Sequence, residues 1–169
     1  MPKKVLVTFA TRSGTTSQVA ETVAEVLRKA GLTTEVVPVK DVRSVDGFDA
    51  VVLGTAIRIG KPMPELMQLV KKQRSRLSQL PVAAFAVCLA AKEDTPENRK
   101  AIAGYLDPVK SEITLVSEAA LAGAMHYARL GVFARFVIQK MVKAEEGDFR
   151  ETEKITEWAQ DVARRFRSS

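Results

Sequence analysis

Val5-Leu6-Val7-Thr8-Phe9-Ala10-Thr11-Arg12-Ser13-Gly14-Thr15-Thr16 is the stretch on which the fold turns. Residues 5–9 form a β-branched apolar run without clean alternation, the pattern of a parallel strand covered on both faces. A hydroxyl-rich loop follows. Val19, Ala20, Val23, Val26, Leu27 and Ala30 then recur at helical spacing until Gly31 supplies a C-terminal stop. Strand, loop and amphipathic helix in that order make the opening unit of a parallel α/β sheet.

The same alternation continues outward. Residues 35–39 predict a second strand, and residues 50–53 a third that ends at Gly54-Thr55. Pro64 suits the first turn of a helix striped by Leu66, Met67 and Val70, and Pro81 reopens extended structure. Residues 82–89 predict a fourth strand. Asp94 or Thr95 caps the next helix, with Pro96 and Glu97 in its first turn and Ile102, Tyr105 and Leu106 facing inward. Residues 117–123 give a weaker fifth strand. A last helix starts near Thr152, with Ile155, Trp158, Ala159, Val162 and Phe166 on one face. Parallel strands need right-handed crossovers, so the expectation is a three-layer, doubly wound α/β domain with a five-stranded parallel sheet. Residues 126–147 exceed a usual connection and are expected to be a basic, amphipathic insertion in one domain spanning 1–169.

Composition agrees and excludes other classes. The chain has 169 residues, 46% hydrophobic and 27% charged, enough to bury roughly 70% of its unfolded surface without staples. Cys88 and His126 are its only Cys and His, so one subunit can form neither a disulfide nor a four-ligand zinc site. The apolar run 80–91 is shorter than the about 18–20 residues that span a bilayer. Residues 5–10 are too short for the core of an export signal, so the expected location is cytoplasmic. A net charge of +6 and a pI near 9.6 favour anionic partners. Nucleic acid is not expected, because no aromatic platform accompanies the cations and Glu is interspersed among them.

In this architecture ligands bind beyond the C-terminal ends of the strands. After strand one, Thr11, Ser13, Thr15 and Thr16 surround Gly14 at a helix start, where unpaired N–H groups carry partial positive charge. Such a loop can cradle a phosphate; it can equally be an ordinary Ser/Thr cap. Neither Gly-x4-Gly-Lys-Ser/Thr nor Gly-x-Gly-x-x-Gly occurs in the chain. After strand three, Gly54-Thr55-Ala56-Ile57-Arg58-Ile59-Gly60-Lys61-Pro62 offers small residues and glycines for close approach to a flat ligand. Cys88-Leu89-Ala90-Ala91 follows strand four. Together the three loops predict a mononucleotide site.

These residues resemble the flavodoxin superfamily, whose first loop has the form Ser/Thr-x-Ser/Thr-Gly-x-Thr, here Thr11-Arg12-Ser13-Gly14-Thr15-Thr16. Gly54 to Gly60, the Asn98 helix, Ala122-Gly123-Ala124, the basic insertion, and Gly147-Asp148-Phe149-Arg150 before the Trp158 helix resemble its menaquinone-dependent protoporphyrinogen IX dehydrogenase branch. The resemblance implies FMN held by Thr11, Arg12, Ser13, Gly14, Thr15, Thr16, Thr55, Ala56, Ile57, Arg58, Ile59, Gly60, Leu89, Ala90 and Ala91. It further implies electrons taken from a porphyrinogen, three rounds per substrate, and passed to a quinone. The flavin carries the redox chemistry, so no catalytic side chain is named.

Two departures from ordinary flavodoxins stand out. No Trp or Tyr occupies the second and third loops, and the chain is basic where flavodoxins are usually acidic. Arg58 near a flavin would favour its anionic reduced form and raise its potential; an Arg58→Ala variant of unchanged potential would remove that role. In the insertion, Arg129, Arg135 and Lys140 lie opposite an apolar stripe with Phe136 among the cations, a pattern suited to propionates or to lipid headgroups as well as to a solvated face. Peripheral contact with the inner face of the membrane and a homodimer both stay open. So does an electron carrier, exchanging with a redox protein, or a quinone reductase, neither acting on porphyrinogen. A phosphoacceptor receiver domain is excluded, since Thr55 and Thr11 stand where it needs acids. Cys88 and Trp158 are expected in the core, His126 at the surface, and Tyr127 near the flavin edge.

Overall fold

The computed structural model describes residues 2–11, 14–88, 95–122 and 144–169, with side chains in the last helix from Thr152 onward. Strand β1, Lys4–Ala10, is buried from its second residue to its last. Helix α1, Thr15–Lys29, buries Val19, Ala20, Val23, Ala24 and Leu27. It ends as the sequence requires. Gly31 takes a φ of 94°, and the N–H groups of Gly31 and Leu32 donate to the carbonyls of Arg28 and Leu27 at 3.0 and 3.1 Å, the paired bonds of a Schellman stop.

Strand β2 is Thr33–Pro38, and Val39 already belongs to the following 3-10 turn, Val39–Asp41. Strand β3 runs Ala50–Arg58 and is followed by the two-residue strand β4, Lys61–Pro62. Helices α2, Pro64–Lys72, and α3, Arg74–Leu77, lead to strand β5, Val82–Val87. Helices α4, Pro96–Ala103, and α5, Asp107–Lys110, precede strand β6, Ser117–Leu121. The C-terminal helix is Ala144–Ser168.

The main sheet has the order β2-β1-β3-β5-β6, every pair parallel, with β4 antiparallel to β3. The doubly wound five-stranded expectation is met. Alternate residues of β1 serve opposite layers: Val5, Val7 and Phe9 pack with α1 and with Ile155, Val162 and Phe166 of the C-terminal helix. Leu6 and Ala10 pack on the other face with Leu66 and Val70 of α2 and with Leu106 and Val109. Lys3 joins the two ends of the chain, its Nζ donating to the Phe166 carbonyl at 2.8 Å and to the Ser169 carbonyl.

Several boundaries differ from the sequence expectations. Strand three does not stop at Gly54-Thr55, because β1 and β5 continue its ladder as far as Thr55 and Ala56. Gly54 faces the core rather than a flat ligand. A Cβ there would lie only 2.7 Å from both Cε atoms of Phe85, its partner in the neighbouring strand. In α2 Leu69 joins Leu66 and Val70 in the core while Met67 is half-buried. Of Ile102, Tyr105 and Leu106 only Leu106 is buried, since α4 ends at Ala103 and buries none of its own residues. The C-terminal helix begins at Ala144, so residues 144–147 of the expected insertion are its first turn. The remainder of that insertion, His126 and Tyr127 included, lies outside the described residues. Cys88 is buried. Trp158 is half-buried, edge-on to Phe85 at 5.8 Å and 71°, with its indole N–H donating to Ser117 Oγ at 3.0 Å.

Candidate functional site

Helix α1 begins at Gly14, whose φ of 86° and ψ of −7° lie in the left-handed region that only glycine enters freely. Gly14 donates its N–H to Thr11 Oγ1 at 3.0 Å, which leaves the Thr11 hydroxyl proton to donate elsewhere. The Gly14 carbonyl accepts from Ser17 Oγ at 2.6 Å. No side chain caps the helix and no acid sits in its first turn, so the helix itself offers an anion its positive end. Within that turn, Thr16 Oγ1 is buried without a hydrogen-bond partner. An orphaned buried hydroxyl costs about 1–3 kcal/mol, and an oxyanion at the loop would supply the missing acceptor. These residues fit a phosphate better than they fit a simple cap.

A cavity of about 440 Å³ opens beside this loop, lined by Thr11, Gly14 and Ser17 and by the ends of β1 and β2. Lys40, after β2, and Glu65, in the first turn of α2, line it as well. Sequence reasoning missed both. Neither carries a sequence signal of its own: Lys40 follows β2 and Glu65 opens α2, and only the packing of those two elements beside β1 brings them to this cavity. The loop places Thr11, Gly14, Thr15 and Thr16 together; Arg12 and Ser13 lie outside the described residues.

The second loop is a β-hairpin. Ile57 pairs with Pro62 and Arg58 with Lys61, and the turn residues Ile59 and Gly60 have φ values of 52° and 71°. A two-residue turn with both φ positive matches the twist of its strands and is ordinarily made by Asn-Gly or Gly-Gly. A β-branched residue there is an outlier that costs on the order of 1–3 kcal/mol. Ile59 is nevertheless 90% exposed. The base of the hairpin is clasped by Thr55, whose buried hydroxyl accepts from the Met63 N–H at 2.9 Å and donates to the Ala56 carbonyl at 2.7 Å. Thr55 therefore spends its hydroxyl on the fold. Ala56 and Ile57 are half-buried and Arg58 and Gly60 exposed. Leu89, Ala90 and Ala91, and likewise Arg129, Arg135, Phe136 and Lys140, lie outside the described residues. Among the described residues no cluster of His, Cys, Asp or Glu could hold a metal ion, and no helix is long and apolar enough to cross a membrane.

A parallel sheet of order β2-β1-β3-β5-β6, the 2-1-3-4-5 order when only its five parallel strands are counted, with a hydroxyl loop and no nucleotide lysine is a flavodoxin-like mononucleotide fold. The chain belongs to the flavodoxin domain family, whose model matches residues 6–152, and the cofactor of that family is FMN. It is 30% identical over 164 residues to the protoporphyrinogen IX dehydrogenase (quinone) of Escherichia coli (strain K12), covering 93% of this chain and 90% of that one. It is 31% identical over 173 residues to the protein of the same name in Leishmania major, covering 98% of this chain and 73% of its relative. A solved structure of an oxidoreductase from Corynebacterium diphtheriae superimposes with a TM-score of 0.66 at 13% identity, over 99% and 98% of the two chains; at that identity the likeness is one of fold.

Proposed function

We propose that this protein is an FMN-dependent oxidoreductase that oxidises protoporphyrinogen IX and delivers the electrons to a quinone. The observation that carries the reading is the match, over 93% and 98% of this chain, to two dehydrogenases of that name from a bacterium and a protist. The first loop fits it. Thr11 and Thr16 supply hydroxyls and Gly14 the left-handed turn that together receive the FMN phosphate, with Arg12, Ser13 and Thr15 completing the loop. Residues 55–60 and 89–91 would flank the ring. When bound, FMN supplies the transfer of electrons in pairs. The chain's own task is to hold the cofactor and to orient a large apolar dianion against it. Arg129, Arg135, Phe136 and Lys140, which lie outside the described residues, are contacts to substrate or to lipid headgroups in this reading.

The test is an anaerobic absorption experiment on protein loaded with FMN. Protoporphyrinogen IX should bleach the bound flavin as the porphyrin band grows, and a quinone should restore the flavin colour. A flavin that binds tightly yet stays oxidised with porphyrinogen would discard the dehydrogenase reading in favour of an electron carrier or quinone reductase.

A further inference from the structure

Strand β3 outruns the sheet that holds it. Its last rungs to β1 and β5 are at Thr55 and Ala56, so Ile57 and Arg58 pair only with Pro62 and Lys61. The hairpin thus overhangs the C-terminal edge of the sheet between β1 and β5, where ligands of such folds bind. Its tip combines two choices that disfavour the free protein with an apolar side chain presented to solvent. Ile59 adopts a left-handed conformation that a β-branched side chain resists. The same side chain is 90% exposed, although isoleucine is ordinarily among the most buried residues. Arg58 and Lys61 are directly opposite in the register, so two like charges share one face of the hairpin, an arrangement that destabilises strand pairs. Arg58 and Lys61 are both exposed, and neither has an ion-pair partner among the described residues. Residues 57–62 include no acid.

These three features within four residues suit one kind of ligand, an apolar body carrying two carboxylates, whose binding can offset the strain of the turn. We infer that the tip Arg58-Ile59-Gly60-Lys61 is the docking element for the porphyrinogen, with Ile59 laid against the macrocycle and Arg58 and Lys61 paired to its propionates. The inference rests on the dehydrogenase reading and deepens it. It gives Arg58 a partner in the substrate, which suits an exposed guanidinium better than a role in setting the flavin potential. It also explains why Ile stands where Asn would make the better turn. The ligand recovers on binding what the free hairpin gives up.

The experiment compares FMN-loaded wild-type protein with Ile59→Asn and with the double variant Arg58→Gln, Lys61→Gln. Each is titrated with protoporphyrin IX and with its dimethyl ester, followed by porphyrin fluorescence. Wild type should prefer the diacid. The double variant should lose that preference, its affinity for the diacid falling roughly tenfold or more, as for truncated charge pairs. Ile59→Asn should weaken both porphyrins alike while raising Tm by about 2–4 °C, since the turn strain is relieved. A wild type that binds neither porphyrin removes the dehydrogenase reading and the docking element with it. A wild type that binds the diacid with unchanged affinity in both variants removes the docking element alone. Vesicles of phosphatidylglycerol serve as the second probe. If the variants lose vesicle binding while porphyrin binding is untouched, the tip is a lipid contact and the inference fails.

Discussion

Thr16 and Gly54 show how different the fates of two small residues can be. Thr16 Oγ1 is buried and unpaired, so Thr16→Val removes a desolvated hydroxyl and should leave the cofactor-free protein as stable or about 1 kcal/mol more stable. The same change should weaken FMN about five- to tenfold, the worth of one phosphate bond, and leave riboflavin, which lacks the phosphate, unaffected. Fluorescence-quenching titrations with both flavins decide it. Equal weakening of both would mean the hydroxyl serves the loop and not the phosphate. Gly54 is constrained from the opposite direction: Gly54→Ala drives a methyl into the Phe85 ring and should lower stability by about 1–3 kcal/mol in urea unfolding. The Gly14 loop was legible because its hydroxyls and glycine are neighbours in sequence. The role of Gly54 was not, since it depends on a ring from the adjacent strand.

Amphipathic elements were the most legible and irregular ones the least. The stripe Val19 to Leu27 and the face Ile155 to Phe166 fall on buried positions because a 3.6-residue period survives in any context. The hairpin was hidden, since Gly54-Thr55 has the composition of a turn and only hydrogen bonds from β1 and β5 keep it extended. Helix α4 is a third case. Thr95 caps it, its Oγ1 accepting from the Asn98 N–H at 3.1 Å, yet none of its residues is buried. Its stability is therefore local. Thr95→Ala should cost the helix about 0.5–2 kcal/mol, seen as faster amide exchange across 96–103, while Tm stays almost unchanged. A drop in Tm as large as that of a core substitution would show that α4 is coupled to the sheet more tightly than its burial implies.

At the scale of the molecule, the sequence implied two helical layers on a parallel sheet, but strand order comes from crossovers between distant segments and only the structure supplies it. The two layers share one property: every buried polar side chain among the described residues is a threonine. Apart from the Cys88 thiol, no ionisable side chain among the described residues is buried, so below the thiol range stability should vary with pH chiefly through surface pairs. Asp161 is held below the ordinary aspartate range, chiefly by the hydrogen bond from Arg165 and also by Arg164. A lowered folded-state value stabilises above the unfolded pKa of about 4 and is lost as pH falls through the folded value. Lys110 is shifted the other way by Glu118 and then Asp107, so its contribution is complete below the unfolded value of about 10.4 and is lost only as pH rises through the folded one. Both groups are solvent-screened, which limits each to well under about 1 kcal/mol. The expected profile of the urea midpoint is thus flat from about pH 5 to about pH 8, below the range where thiols ionise, with losses beyond either end. Asp161→Asn should flatten the acid limb further. His126 is the only histidine, so a step of more than about 1 kcal/mol centred near pH 6.5 would overturn the flat profile and assign the missing proton to that residue.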